Sequence, residues 1–225
     1  MTDTSTDERG GRVWDRWTRA SHWFMAVLFA WQFLSGHFGW LPALHLWTGY
    51  LLLAVVLFRL QWGLFGAESA RFGQMLGLLA EIGDAFRSLG RRRPGRWRGH
   101  NPLGVVSVFL MLALLLVQSI TGLFVETWGD VRGPLAERVS RDIALAMGDL
   151  HDVLRWPLLL VVLLHVAAGL YHQWWKHDGR IAAIFLHGRL AGAVERRGAP
   201  AVAGLVAAAA ALIATGLIAW LGPAA

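Results

Sequence analysis

Apolar residues gather into five long runs along this chain, at roughly residues 17–36, 44–65, 103–125, 150–172 and 201–221, with polar or Arg-rich connections between them. An α-helix rises about 1.5 Å per residue and needs about 20 residues to cross the hydrocarbon of a bilayer. The pattern therefore predicts five transmembrane helices. Within the second connection, Phe72, Met75, Leu76, Leu79, Ile82 and Phe86 recur at helical spacing, which predicts an amphipathic helix on the membrane surface. The following "RRRPGRWRGHNP" reads as a solvated basic turn closed by Pro102. No internal repeat is apparent. Residues 1–16 are polar and mix both charge signs, without the short apolar core of a signal peptide, so the first helix is expected to remain as an anchor.

Composition strengthens this picture. The chain has 225 residues, is 56% hydrophobic and has a mean hydropathy of +0.46, values that belong to a membrane protein. The absence of Cys removes disulfides, thiolate iron–sulfur clusters and covalent c-type haem attachment, so any metal must be held by His or oxygen ligands. Seven Arg lie in residues 66–102, and Lys176 with four Arg in residues 173–200, whereas residues 126–149 set three Arg against five acids. Cytoplasmic loops retain Arg and Lys, which puts the N-terminus in the cytoplasm and the C-terminus outside. The net charge of +6 is then a topology signal and an attraction to anionic lipid, not a nucleic-acid footprint. Trp residues near the run ends, among them Trp40, Trp47, Trp128 and Trp156, read as interfacial belts.

Against an apolar background, ionisable side chains stand out. Of nine His, the informative ones are His22 in the first run, His45 at the start of the second, and His151 and His165 in the fourth. Any one of them has a plain structural alternative, a hydrogen bond to a carbonyl or a water. His151 and His165 are fourteen residues apart, which places them on one helix face about 21 Å apart in depth. His45 matches the outer level of His151, and His22, entering from the inner side, shares a half of the bilayer with His165. Two stacked pairs of imidazoles suit two six-coordinate haems, and the lack of Cys leaves haem b as the natural cofactor. Zinc wants four ligands around one ion, which two separated levels do not supply. Gly36, Gly49, Gly122 and Gly169 would admit a flat macrocycle or simply a neighbouring helix.

The segments "VWDRWTRASHW", "LHLWTGYLLLAVVLFRLQWG", "ARF", "GHNPLG", "TGLF" and "LHVAAGLYHQWW" resemble the motifs of the prokaryotic cytochrome b561 family, itself similar to the cytochrome b subunits of nickel–iron hydrogenases. The match runs in order from residue 13 to about 190. The resemblance implies an all-α membrane protein with a four-helix transmembrane bundle holding two haems b, its axial ligands falling on His22, His45, His151 and His165. It also implies electron transfer between membrane quinone and a redox partner such as a periplasmic cytochrome or a dehydrogenase. Two features depart from the family: "SHW" stands where "FHW" is common, and the fifth run is extra to the four-helix core. The expected division is a dihaem domain over residues 1–190 and an additional C-terminal transmembrane helix over residues 191–225.

Further candidates attach to this reading. Arg19, Arg59 and Arg155 lie near the haem levels, where a guanidinium either pairs with a haem propionate or snorkels to lipid phosphate. His172, seven residues beyond His165, is either a rival inner ligand, a proton-passing group at an inner quinone site or a headgroup-level residue. In the fifth run Gly204, Ala208, Ala211 and Thr215 are spaced for close helix contact, either recruiting a partner or a second copy or serving an anchor alone. The functional expectation is a dihaem electron carrier or quinone-linked oxidoreductase subunit. A haemless proton-path transporter and a structural anchor subunit of a larger complex are the alternatives, and a visible spectrum separates them.

Overall fold

The computed structural model describes residues 11–92, 97, 100–126, 128, 131–190, 193 and 197–221. Five long helices dominate: α1 (Arg16–Phe38), α2 (Pro42–Phe65), α3 (Pro102–Gly122), α4 (Arg141–Trp174) and α5 (Ala201–Trp220). Four of them, α2 to α5, are both long and apolar enough to cross a membrane. The chain is therefore a multi-pass membrane protein. With 23 residues α1 has the length, but Arg16, Arg19, His22, Gln32, Ser35 and His37 lower its apolarity below that of the others. Asp15 precedes α1 as its cap, accepting the backbone N–H of Trp17 at 2.9 Å and of Thr18 at 3.1 Å.

The expected single surface helix is broken into three pieces, an α-turn Phe72–Leu76, a 3-10 stretch Gly77–Glu81 and a second α-turn Ile82–Ser88. Gly77 stands at the first break, where Gly is about 1 kcal/mol poorer than Ala in a helix, and the second falls at Glu81, whose backbone leaves the helical region at φ −100° and ψ 13°. Met75 is buried, while Leu76 and Phe86 remain exposed, so the two-faced character survives the breaks. Of the basic turn after it, residues 93–96 and 98–99 lie outside the described residues.

Contacts divide the chain into two compact units, residues 1–20, 61–110 and 161–204, and residues 21–60, 111–160 and 205–225. In the first, a two-residue antiparallel pair joins β1 (Gly11–Arg12) to β2 (Arg189–Leu190), over a small core of Val13, Trp14, Ala183 and Leu190. Gly204, in the first turn of α5, lies so close to Trp17 that a Cβ there would fall 2.1 Å from the indole. Lys176 Nζ donates to Ser88 O at 2.8 Å and Tyr171 OH donates to Leu89 O, closing the C-terminal end of the 72–88 segment with side chains from around the end of α4.

The second unit buries Leu52, Leu53 and Val56 of α2, Leu112 and Leu115 of α3 and Leu158 of α4. Ala211 and Thr215 of α5 are buried there as well, and Arg138 donates to the Leu221 carbonyl at the end of that helix. The small residues of α5 are thus spent on packing within the chain. Its exposed face carries Leu205, Val206, Leu212, Ile213 and Leu217.

Candidate functional site

The best-defined site lies wholly in the second unit. His45, in the first turn of α2, and His151, in α4, face each other with ring centroids 6.5 Å apart and planes crossed at 81°. The rings line a cavity of about 240 Å³, together with Phe33, Gly36, Gly122 and Arg155.

Hydrogen bonds fix the tautomer of both rings. His151 Nδ1 lies 2.8 Å from the backbone carbonyl of Gln118, and a carbonyl only accepts, so Nδ1 carries the proton. Thr121 Oγ1 stands 3.3 Å from the same nitrogen, its own hydrogen directed to the Val117 carbonyl at 2.9 Å. His45 Nδ1 meets Ser35 Oγ at 2.8 Å; that hydroxyl gives its hydrogen to the Trp31 carbonyl at 2.7 Å and so accepts from the imidazole. Both Nε2 atoms are left as bare lone pairs, the state in which a histidine binds a metal.

Glycines serve the rings themselves. A Cβ on Gly36 would lie 3.3 Å from His45 Cε1, and one on Gly122 would lie 2.9 Å from His151 Cε1. Gly49 instead makes room for the Gln32 amide, and Gly169 touches only Ile181 at ordinary contact distance.

The two halves of this site match. Gln32 Nε2 donates to the His45 carbonyl at 2.9 Å, and Gln118 Nε2 donates to the His151 carbonyl at 2.9 Å. Eighty-six residues separate Gln32 from Gln118, Ser35 from Thr121 and Gly36 from Gly122, and the same offset joins the caps Asp15 and Asn101, whose Oδ1 accepts the Gly104 N–H at 2.6 Å. A repeated Q-x-x-[ST]-G, "QFLSG" in α1 and "QSITG" in α3, was the signal in the sequence. It corrects the expectation that the chain contains no internal repeat. Trp128, expected only as a belt residue, packs edge-on against His45 at 4.8 Å, and Arg132 joins Arg155 in lining the cavity.

The donor set fits haem. Two imidazoles sharing one metal at N–metal bonds of about 2.0 Å have centroids roughly 6 Å apart, close to the spacing here. A bare ion would find two donors and little else, because no cluster of three or more His, Cys, Asp or Glu capable of holding a metal exists among the described residues. A macrocycle brings four donors of its own, and needs only these two.

The other expected site residues are distributed as follows. His22 belongs to the second unit, its ring edge-on to Trp23 at 4.9 Å; His165 belongs to the first, its Nδ1 3.3 Å from Ser107 Oγ. Arg155 pairs with Asp152 at 2.8 Å, and its buried Nε has no hydrogen-bond partner among the described residues. Arg19 donates to the carbonyls of Ile184 at 3.0 Å and Phe185 at 2.9 Å, and Arg59 is buried within α2.

His172 is held on both nitrogens. Nδ1 donates to Asp178 Oδ2 at 2.6 Å, and Nε2 lies 3.2 Å from the Asn101 amide nitrogen. Arg180 completes the cluster, with Nε 2.8 Å from Asp178 Oδ2 and Nη2 donating to the Trp97 carbonyl. Burial pushes the Asp178 carboxyl up, but the His172 hydrogen bond and the Arg180 charge outweigh it and hold the group below the usual carboxylate range.

A family model described as prokaryotic cytochrome b561 matches residues 13–187. No match was found among curated proteins or among solved structures.

Proposed function

The chain belongs to the prokaryotic cytochrome b561 family, as a membrane b-type cytochrome of electron transfer, and from that premise we propose that it passes electrons between membrane quinone and a redox partner through two haems b. Members of the family bind haem b. The observation that carries the reading is the His45–His151 pair, with rings 6.5 Å apart and both Nε2 lone pairs bare. His45 and His151 are the ligands of the outer haem. His22 and His165 are those of the inner one, on the strength of their spacing and of the family's motifs.

Bound haem supplies the one-electron chemistry, and the chain supplies ligation and surroundings. Leu52, Leu115 and Leu158 help keep water from the outer cavity. Arg155, with a donor to spare at Nε, is the residue best placed to bind an outer propionate. Arg19 and Arg59 are the candidates for the inner haem, and Arg19 would exchange a backbone carbonyl for the carboxylate. A quinol hydroxyl reaching His172 would displace the Asn101 amide, the longer of its two contacts, and donate to Nε2 in its place, while Asp178 holds the proton on Nδ1. All five long helices span the inner membrane, N-terminus in the cytoplasm and C-terminus in the periplasm, where a cytochrome or dehydrogenase partner would dock.

Pyridine haemochrome analysis tests the reading. Two haems per chain are expected, and His45→Ala or His151→Ala should remove or convert one and leave the other. One haem per wild-type chain, or none, refutes it; none would favour the proton-path or anchor alternatives.

A further inference from the structure

The matched halves of the outer site differ at one bond. Each half places a hydroxyl on an imidazole Nδ1, Ser35 on His45 at 2.8 Å and Thr121 on His151 at 3.3 Å. His151 has a second and closer acceptor, the Gln118 carbonyl at 2.8 Å, whereas for His45 the Ser35 hydroxyl is the acceptor that faces Nδ1. Ser35 is fully buried. Its hydrogen is committed to the Trp31 carbonyl, which fixes the direction of the bond: the hydroxyl oxygen accepts and His45 donates.

A hydrogen bond from the far nitrogen of a ligating histidine orients the ring and raises its basicity, and losing such a partner typically costs about 10–100-fold in metal affinity. The fixed backbone carbonyl opposite His151 survives any side-chain substitution. The hydroxyl opposite His45 does not.

We propose that Ser35 is a positioning residue that sets the ligand strength of His45, and that the outer ligands are held unequally, His151 by the main chain and His45 by one serine. The proposal rests on the reading of His45 and His151 as outer haem ligands. It predicts which ligand leaves first: His45, from α2, with His151 staying bound.

The test uses the full chain in detergent or nanodiscs. Transfer of outer haem to excess apomyoglobin should be about tenfold faster or more in Ser35→Ala, and the reduced variant should gain carbon monoxide binding at one haem as His45 lets go. Ser35→Thr, which keeps the hydroxyl, should restore wild-type behaviour. Thr121→Val should change transfer by less than about threefold, because Gln118 still holds His151. The inner haem band is the internal control for folding in every variant. The inference is overturned if Ser35→Ala matches wild type while His45→Ala loses the outer haem, or if Thr121→Val loosens haem as much as Ser35→Ala. An outer haem unchanged by His45→Ala overturns the ligand reading itself, and this inference with it.

Discussion

Adding one methyl group at Gly122 tests whether the outer ring pair is held as tightly as its geometry indicates. The new Cβ would lie 2.9 Å from His151 Cε1 and 3.2 Å from Nδ1, where ordinary van der Waals contact begins near 3.4 Å. The ring has to move by about half an ångström, and it is not free to do so, because the Gln118 carbonyl and Thr121 hold Nδ1 on the same side. Overpacking of this size costs about 1–3 kcal/mol, and a shift of half an ångström is a quarter of an N–metal bond of about 2.0 Å. Gly36→Ala brings its Cβ to 3.3 Å from His45 Cε1, a milder conflict that a few tenths of an ångström relieve. Gly73→Ala meets nothing within 4 Å, lies in a short α-turn and should be neutral or slightly stabilising. Haem content and the reduced α-band measure all three. Gly122→Ala should lose or convert the outer haem, Gly36→Ala should retain it with weakened binding, and Gly73→Ala should match wild type. An unaltered outer haem in Gly122→Ala, or a larger loss in Gly36→Ala, would refute the steric reasoning.

The 81° between the ligand rings predicts a highly anisotropic low-spin ferric signal from the outer haem in electron paramagnetic resonance; a rhombic signal of the parallel-ring type from both haems contradicts that geometry. The chain has no native thiol, so Arg92→Cys should react with an impermeant reagent only from the cytoplasmic side, and labelling from the periplasm reverses the proposed orientation. His172→Ala should keep both haems and slow quinone-linked haem reduction or reoxidation; loss of the inner haem would make His172 its ligand. Asp178 has a depressed carboxyl pKa in the folded chain, so its contribution to stability is present above the ordinary value of 3.8 and disappears as pH falls through the lower folded value. Thermal unfolding in detergent should therefore show an acid-side loss of stability that Asp178→Asn reduces, and an identical pH profile in the variant argues against the His172–Asp178–Arg180 cluster.

Much of the architecture was legible because hydrophobic runs of span length leave few alternatives in a bilayer. Four of the five apolar runs reappear as helices apolar enough to cross it, with ends within a few residues for α2, α3 and α5. α4 begins nine residues before its run, because Arg141–Asp149 is helical but polar, and hydropathy does not register a helix that continues into water. The surface segment was legible as a pattern and not as a shape, since its apolar spacing stayed helical while the backbone breaks at Gly77 and at Glu81. His45 and His151, which the fold brings together, could be singled out because an imidazole in an apolar run is conspicuous. Gln32, Ser35, Gln118 and Thr121 were passed over because a lone Gln or hydroxyl in a transmembrane helix is ordinary, and their meaning lies in contacts across helices.

The repeat gives those residues a common logic. A Gln reaching the carbonyl of a histidine thirteen positions later in α2, or thirty-three later in α4, ties that histidine to the scaffold across two different connections. One helical turn further on, a hydroxyl and a glycine meet the same imidazole from Nδ1 and from Cε1, so orientation and clearance come from adjacent residues. The matched set stops at the outer level: fourteen residues beyond His45 the chain has Arg59, where fourteen beyond His151 it has His165. In the proposed assignment the inner level would take its second imidazole from α1, at His22, whose counterpart at the same 86-residue offset is Val108. On the proposed two-haem reading, near-equivalent halves would serve one haem and departures from equivalence the other. Two sites built on different rules need not share a potential, and a difference in potential gives electrons crossing the membrane a preferred direction.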